Sequence, residues 1–502
     1  MKLARNFSAG LANSAWSVVI GLVAVPFYIK YLGIETYGLI GFFVTIQALL
    51  HLLDMGMTPT INREVARHSS LGNIKEAGKL LHTLAIIYWF LAGMAALLIM
   101  SIAPWVASYW LQSTLSIQTI SNAVFLMGVV VVFRLPFGLY QGALIGAQRL
   151  TITSSINMIM VTTGSLGAVF ILAFISPTIE AFFLWQACVA VVFAFIVRLA
   201  AWRIIGKTKI TKFDFDRLKG VWSFTAGMSV VSLSGMILMQ LDKVMLSKIL
   251  DLEDFARYTL AIVVSNCLYI FLTPLFNVIY PRMTALVATG DRERLIILYR
   301  TGTIFFLSLF MPIAIYVATF SEEIIFIWTG DMNLAVSVSP VASFFLLGTM
   351  LNGAMHFPYS LQLAYGKTQL PVIINIVLII IMIPTILILA LSYGAIGGAA
   401  AWAITNFMYL LFGAWLTHRT LLQEIGIKWL CSDVALPLLI SILVVGIGGW
   451  LIQYYNHFLY LKLIAGCFLV PLSFLAVVLL SSRLREAVKN LRNNNFGGSI
   501  LD

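Results

Sequence analysis

The sequence has little charge and few cysteines for its length. Of its 502 residues only 10% are charged and 61% are hydrophobic, and the mean hydropathy is +0.99. Soluble domains carry roughly 25% charged residues, so the composition excludes them and indicates a polytopic membrane protein. The cysteines, Cys188, Cys267, Cys431 and Cys467, lie far apart and away from histidine clusters. Their spacing predicts neither a disulfide framework nor a metal site.

Motifs of covalent chemistry are also missing. The sequence contains no Walker A loop, no HExxH, no GxSxG and no histidine-rich cluster. Each of these motifs places a nucleotide, a metal or a nucleophile, so their absence predicts a protein that is not an enzyme and needs no cofactor. Any transport would then depend on a Na⁺ or H⁺ gradient or on downhill exchange.

Long apolar runs fill most of the chain. Fourteen segments are long enough to cross a bilayer as helices, which predicts an all-α protein of about 14 transmembrane helices. We divide it into an N-lobe of spans one to six at roughly 1–202, a basic cytoplasmic linker at 203–220, a C-lobe of spans seven to twelve at 221–416, spans thirteen and fourteen at 434–481, and a cytoplasmic tail at 482–502.

Basic residues are distributed unevenly across the predicted membrane. With the N-terminus inside, 24 of the 31 lysines and arginines fall on the inner side, Arg300 among them, by our count along the sequence. The outer loops near 104–118, 176–180 and 321–338 contain none. This asymmetry predicts cytoplasmic termini in a bacterial inner membrane protein. It also assigns the net charge of +11 to membrane orientation rather than to nucleic-acid binding.

A weak repeat relates the two halves. At a shift of 218 residues, Glu35 falls on Glu253, Gly72-Asn73 on Gly290-Asp291, and Asn157 on Asn375. Six spans per repeat is an even number, so both lobes should have the same orientation. We expect them to enclose a cavity about an axis along the membrane normal.

Span seven carries a polar stripe that ends in an acid. Helical spacing places one set of small or polar residues on a single face: Thr225, Ser229, Ser232, Gly235, Met239 and Asp242. Such a face suits either a cavity or close helix packing, and the acid favours the cavity. Asp242 would then be a counter-ion of a nearby cation or a coupling site for Na⁺ or H⁺.

Arg134 is the most distinctive single residue, because it lies near the middle of span four. Arginine does not lose its proton, so its charge must meet an anion, water or carbonyls. Gly138 and Gln141 follow on the same face. We predict that Arg134 and Gln141 bind a diphosphate or an acidic sugar. The alternative is that Arg134 snorkels to the interface or forms a structural pair with a buried acid such as Asp54.

Further candidates lie near the membrane surfaces. Lys243, Lys248 and Arg257 cluster at the outer end of spans seven and eight, and Lys30 marks the outer end of span one. They predict a basic rim for an anionic head group, or ordinary interface residues offset by neighbouring acids. Asp54, near the inner end of span two, is predicted to cap or hinge that helix at the cytoplasmic gate.

Several motifs resemble one family. The opening PFYIKYLGIETYGLIGF is followed by LLDMGMTPTINREVAR, and later come LDKVMLSKIL, AYGKTQLP and SYGAIGGAAAWAI. Over nearly the whole chain these resemble the Wzx-type O-antigen and polysaccharide flippases, a branch of the multidrug/oligosaccharidyl-lipid/polysaccharide exporter superfamily. In such flippases an acid on span seven, here Asp242, resembles an ion ligand. Asn375 also matches that pattern, although no acid stands near it.

The resemblance implies alternating-access transport. Its substrate would be an undecaprenyl-pyrophosphate-linked oligosaccharide, moved from the cytoplasmic to the periplasmic leaflet, and its partners the lipid bilayer and polysaccharide polymerase or assembly proteins. Within the same superfamily the alternatives are a lipid II flippase and an ion-coupled multidrug exporter. A cation-binding exporter would favour an acidic cavity, which the basic candidates here oppose. A membrane-embedded polymerase or glycosyltransferase would need a large outer loop or a nucleotide-sugar domain.

Overall fold

The computed structural model describes residues 2–54, 57–70, 74–206, 215–455 and 458–493, with side chains at most of these positions. Every regular element in these ranges is helical, apart from one bridge between Gln112 and Asp251. The helices of the first half are α1 (Lys2–Leu32), α2 (Ile34–Leu50), α3 (Met57–Ser70), α4 (Ile74–Trp105), α5 (Ile117–Gly146), α6 (Leu150–Phe174), α7 (Ile179–Ile205), α8 (Phe215–Ile249) and α9 (Leu252–Asn266).

The second half continues in the same way. Its helices are α10 (Tyr269–Thr289), α11 (Arg292–Thr319), α12 (Ser321–Thr329), α13 (Met332–Ala354), α14 (His356–Ala364), α15 (Gln369–Met408), α16 (Ala414–Leu421), α17 (Gly426–Lys428), α18 (Ala435–Ser441), α19 (Gly448–Tyr455), α20 (Leu459–Leu480) and α21 (Ser482–Asn493). A 3₁₀ turn covers His51–Asp54, and π-helical turns cover Val106–Trp110, Tyr409–Gly413, Trp429–Val434 and Ile442–Ile447.

The prediction of an all-α polytopic membrane protein is confirmed. In the described ranges, 12 helical stretches are long and apolar enough to cross a membrane. One of them, Gln369–Leu421, covers two predicted spans, and it is broken at Gly394, whose φ of +58° an L-residue rarely adopts. The predicted seventh span corresponds to α8, which is not among the 12. Fourteen crossings and cytoplasmic termini therefore stay predictions.

The internal repeat has a counterpart in where helices begin. Helix α2 begins at Ile34 and α9 at Leu252, so the two starts are 218 residues apart. Glu35 and Glu253 are thus each the second residue of a helix. Of the second of the three matched pairs, Gly72-Asn73 lies outside the described residues, whereas Gly290 ends α10 with a φ of +71° and Asp291 caps α11.

By its internal contacts the chain divides into two compact units, Met1–Thr259 and Leu260–Asp502. In the first unit a hydrophobic core joins α3 to α7, and it includes Ile61, Tyr88 and Tyr140. Helix α3 approaches α5 closely at Gly142 and Gly146, because a Cβ at Gly146 would lie 2.3 Å from the Asn62 carbonyl oxygen. Helix α5 consequently lies largely inside the protein, with 61% of its apolar stretch buried.

Candidate functional site

Helix α5 presents one open polar face in an otherwise buried surface. Ser116 caps its first turn by accepting a hydrogen bond from the Thr119 amide at 3.1 Å. From Leu135 to Gly146 most side chains are buried, but Gly138 and Gln141 are only partly so, as is Arg134 one turn earlier. Apart from α5 itself, no atom of the described residues lies within 4 Å of the position that a Cβ would take at Gly138. The face predicted from helical spacing is therefore open at Gly138.

Arg134 has no acidic partner among the residues that the structure describes. Among the described residues its nearest hydrogen bond runs from Nη2 to Gln186 Oε1, at a long 3.5 Å, and its buried Nε has no acceptor there. Gln186, on α7, is itself buried and donates to the Gly164 carbonyl at 3.2 Å. The guanidinium is therefore held by one neutral amide. Several N–H donors remain for an anion beside it.

Asp54, the predicted structural partner of Arg134, makes other bonds. Its carboxylate accepts from the Thr58 amide at 3.2 Å, from the Thr58 hydroxyl and from the Tyr88 hydroxyl. These bonds hold the 3₁₀ turn at the end of α2 against the first turn of α3 and against α4. The geometry is that of a carboxylate at a helix N-terminus, where it stabilises unpaired amides.

Asp242 is fully buried near the end of α8. Its Oδ2 accepts a hydrogen bond from the Tyr258 hydroxyl at 2.6 Å, and its Oδ1 lies 3.1 Å from Lys243 Nζ. Lys243 Nζ also donates to the Met239 carbonyl at 2.5 Å. Both carboxylate oxygens are thus engaged, as burying a charge without large cost requires. Tyr258 was missed by sequence reasoning, because a tyrosine in an apolar run carries no signal of its own.

The polar stripe that leads to Asp242 is only partly visible. Thr225, Ser229 and Ser232 have side chains outside the described residues. Gly235 is partly buried, and Met239 is 42% exposed. Whether this face borders a cavity therefore stays a prediction.

The predicted basic rim contains both neutralised and unneutralised cations. Arg257 forms ion pairs with Glu253 and Asp254, the latter at 2.6 Å, so this triad has no positive charge to spare. Lys30 is exposed, lies 5.8 Å from the Tyr31 ring and has no acid within 4.0 Å in the described part of the chain. We therefore give Lys30 more weight than Arg257 as a ligand for an anion.

Lys248 also belongs to this rim. It is exposed, donates to the Tyr109 carbonyl and lies 6.0 Å from the Trp110 ring. Neither contact neutralises its charge, because one is to a carbonyl oxygen and the other to an aromatic face. Lys248 therefore keeps a positive charge at the end of α8.

The second unit holds Asn375 and a network of neutral polar residues. Asn375 is partly buried on α15. Elsewhere in this unit Asn352 donates to Asn406 at 2.8 Å, and the hydroxyls of Ser265 and Thr349 lie 2.7 Å apart. Sequence reasoning missed these residues, because asparagine and threonine inside an apolar run do not reveal which other helix they face. Asn375 stays a predicted ion ligand.

No group of three or more histidine, cysteine, aspartate or glutamate side chains that could hold a metal ion occurs in the described ranges. The described candidates offer fixed cations and N–H donors, which are groups that can bind an anion.

Comparison with known proteins gives a consistent group of matches. A family model described as "Polysaccharide biosynthesis protein" matches residues 3–287. A curated protein of Shigella flexneri named "Putative O-antigen transporter" is 21% identical over 420 residues, which cover 82% of this chain and 98% of that protein.

The fold is also similar to that of solved structures. One, the lipid II flippase MurJ in an inward closed conformation, has a TM-score of 0.66 at 14% identity and covers 93% of this chain and 96% of that one. An inward-facing multidrug resistance MATE family transporter of the MOP superfamily has a TM-score of 0.63 at 12% identity, covering 80% and 95%. At such identities the likeness concerns the fold.

Proposed function

This chain belongs to the polysaccharide biosynthesis protein family, and from that premise we propose that it flips a lipid-linked oligosaccharide across the inner membrane. The substrate would be an undecaprenyl-pyrophosphate-linked repeat unit, such as that of an O-antigen, moved to the periplasmic leaflet by alternating access. The transport breaks no covalent bond. Its physical problem is to carry a diphosphate and a hydrated glycan through a layer that dissolves neither.

The observation that carries the proposal is the state of Arg134. An arginine in a membrane-spanning helix is normally paired, because a charge in hydrocarbon costs about 2.5–3.5 kcal/mol even on insertion scales. Here one amide oxygen at 3.5 Å is its nearest hydrogen-bond acceptor, and space opens beside it at Gly138. A diphosphate would supply the missing countercharge, and a guanidinium can bind it through two parallel hydrogen bonds.

The charge of the candidates also supports an anionic substrate over a cationic drug. Arg134 and Lys30 each lack an acid within 4.0 Å in the described ranges, whereas the buried acid Asp242 is already paired with Lys243. A site for cationic drugs would need the reverse arrangement, with unpaired acids facing the substrate.

The function can be tested in vesicles that contain the purified protein. A labelled undecaprenyl-diphosphate oligosaccharide should become accessible to an external enzyme much faster than in protein-free vesicles, and an excess of unlabelled substrate should compete. In cells, deletion of the gene should remove surface glycan and leave the lipid-linked unit on the cytosolic face. Competition by lipid II but not by the oligosaccharide would favour a lipid II flippase, and transport of only a cationic dye would favour a drug exporter.

We further propose that transport is coupled to an ion gradient through Asp242. The charged carboxylate of Asp242 binds Lys243. It would release that lysine on binding a proton, or on binding Na⁺ in place of the lysine. Because the acid is buried and the lysine is nearby, a change of charge on one must alter the other. Coupling would thus pass through the Asp242–Lys243 pair, with Tyr258 as the fixed donor.

The coupling proposal predicts the behaviour of Asp242→Asn. Asparagine keeps the size and accepts the Tyr258 hydrogen bond but carries no charge, so an imposed pH or Na⁺ gradient should no longer accelerate transport. Exchange without a gradient should stay within about threefold of wild type, since the fold keeps its hydrogen bond. The measurement is the initial rate in vesicles with and without each gradient.

A matched control is Asp251→Asn, since asparagine also caps helices and Asp251 is exposed at the start of α9. It should keep the response to the gradient. Wild-type transport that persists unchanged after both gradients and the membrane potential are collapsed would exclude coupling altogether.

A further inference from the structure

The first unit contains an elongated cavity of about 880 Å³ that the proposed transport site does not use. Its walls are α2 with the following 3₁₀ turn, α4 with the following π-helical turn, and the end of α8. Typical lining residues are Leu49, Leu53, Met94, Leu98 and Ile102. It is open along one side, because Met94 and Leu98 line it and yet are 54% and 62% exposed.

The cavity offers hydrocarbon and almost no free hydrogen-bonding group. Of the hydroxyls in its lining, Thr45 donates to the Gly41 carbonyl at 3.1 Å, Ser101 to the Leu97 carbonyl at 2.6 Å, and Ser247 to the Val244 carbonyl at 2.8 Å. The Trp110 indole N–H donates to Ser247 at 3.1 Å. These groups are satisfied by the protein itself, so a polar or hydrated ligand would gain little here.

The dimensions suit a long hydrocarbon chain. From Phe42 to Leu53 the cavity follows α2 for roughly 16 Å, and from Leu91 to Trp105 it follows α4 for roughly 21 Å. A groove of this length and volume accommodates an extended hydrocarbon chain of several isoprene units.

One end of the cavity is marked by a cation. Trp110 lines that end, and Lys248 Nζ lies 6.0 Å from its ring. Lys248 follows directly after the lining residue Ser247 and is exposed. An apolar groove that ends at an unneutralised lysine is complementary to an amphiphile with an anionic head.

We propose that this groove, between α2, α4 and the end of α8, binds the polyisoprenyl chain of the lipid-linked substrate, with its diphosphate directed towards Lys248. The inference rests on the proposed function, since it assigns a place to the lipid part of that substrate. A tail bound in the groove would hold the head group near the protein. Less translational and rotational entropy is then lost when the head group enters the transport site.

The first test is photolabelling in vesicles with undecaprenyl diphosphate that carries a diazirine in the isoprene units nearest its diphosphate. Labels should map to α2 and α4, and unlabelled undecaprenyl diphosphate should remove them. A phosphatidylglycerol with the diazirine in its acyl chain serves as the comparison. Equal labelling of the groove by this phospholipid, unaffected by excess undecaprenyl diphosphate, would mean that the groove holds ordinary membrane lipid, and the proposal would be wrong.

The second test is Ile102→Trp, which fills the groove from α4, with Ile86→Trp as a matched control. Both isoleucines are on α4 and similarly exposed, at 37% and 45%, but only Ile102 lines the groove. Ile102→Trp should reduce transport of the long-tailed substrate about tenfold through weaker binding, and Ile86→Trp should not. Met94→Trp, also in the lining, is a second filling variant in case Ile102→Trp folds poorly.

A substrate analogue with a tail of only a few isoprene units separates this inference from the proposed function. It should be transported equally well by wild type and by Met94→Trp, because Met94 lies 16 residues before Trp110, roughly 24 Å from the Lys248 end of the groove, which so short a tail does not reach. If wild type transports neither substrate, the proposed function fails. If wild type transports both and Ile102→Trp and Met94→Trp leave the long-tailed substrate unaffected, only the groove assignment fails.

Discussion

Replacing Arg134 with alanine is expected to reduce translocation on the order of 100-fold without lowering the stability of the protein. Losing one partner of a buried charged pair with a ligand costs about 2–5 kcal/mol, and each 1.4 kcal/mol is a factor of ten. The measurement is the initial rate of translocation in vesicles at equal amounts of folded protein. Surface glycan in a complemented deletion strain gives the same comparison in cells.

The stability of Arg134→Ala distinguishes a structural role of this arginine from a role in binding a ligand. A structural arginine leaves a buried acid unpaired when it is removed, and the protein then unfolds more easily. Arg134 has a neutral amide as its nearest partner, at 3.5 Å, and an Nε without an acceptor. Its removal thus relieves an unpaired charge. We expect the thermal unfolding temperature of Arg134→Ala in detergent to equal or exceed that of wild type.

Two further variants sharpen the result. Arg134→Lys keeps the charge but loses the planar fork, so it should retain partial activity, about tenfold below wild type. Arg198→Ala removes an exposed arginine from the neighbouring helix α7 and should transport normally. Full activity of Arg134→Ala, or a marked loss of its stability, would contradict the assignment of Arg134 as an anion ligand.

The helices and the polar face of α5 were predictable because they depend on local spacing. Apolar length fixes a membrane helix, and the intervals between Arg134, Gly138 and Gln141 place them on one face whatever surrounds that helix. The starts of α2 and α9, 218 residues apart, follow the repeat that Glu35 and Glu253 revealed. Local rules hold here because a bilayer leaves a chain few alternatives to a helix.

Partners distant in the sequence could not be predicted in this way. Asp242 suggested a nearby cation, but the hydrogen bond from Tyr258 depends on how α9 turns back on α8. Similarly, Asp54 was one candidate to pair with Arg134, whereas its carboxylate accepts hydrogen bonds from Thr58 and Tyr88. Such choices depend on which helix faces which, and the apolar character of a helix does not specify its neighbour.

Arg300 is the clearest example of a residue whose partner could not be predicted from the sequence. As one of many basic residues on the inner side, it indicated only orientation. The structure places it inside α11, buried, with Nε 2.5 Å from Asp433 Oδ2 and Nη2 3.0 Å from Asp433 Oδ1. Nη2 also donates to the Ser432 hydroxyl at 2.8 Å. This bidentate pair, 133 residues apart in the sequence, ties the start of the thirteenth predicted span to α11.

Arg300→Ala is accordingly expected to destabilise the protein by about 3–5 kcal/mol, because it leaves the fully buried Asp433 without its bidentate partner. Arg483, at 3.8 Å from Asp433, is too distant to replace it. The double variant Arg300→Met/Asp433→Leu removes both charges and should recover most of the loss. The measurement is unfolding in detergent by heat or denaturant, followed by tryptophan fluorescence.

An exposed ion pair that involves another arginine of α11 provides the control. Arg292 donates to Glu424 at 2.8 and 3.0 Å, with both side chains about half exposed, and these hydrogen bonds lower the pKa of the Glu424 carboxyl. The pair is therefore intact at neutral pH and is lost only as the pH falls through that lowered pKa. Being solvated, it should contribute little, and Arg292→Ala should unfold like wild type.

The presence or absence of a carboxylate partner thus leads to opposite predictions for Arg300 and Arg134. A buried guanidinium with a carboxylate partner belongs to the fold, so Arg300→Ala should lose stability while each molecule that remains folded transports at the wild-type rate. A guanidinium without an acid is available to a ligand, so Arg134→Ala should lose transport and keep its stability. Equal unfolding of Arg300→Ala and wild type, or loss of transport in folded Arg300→Ala, would show that pairing does not distinguish the two roles here.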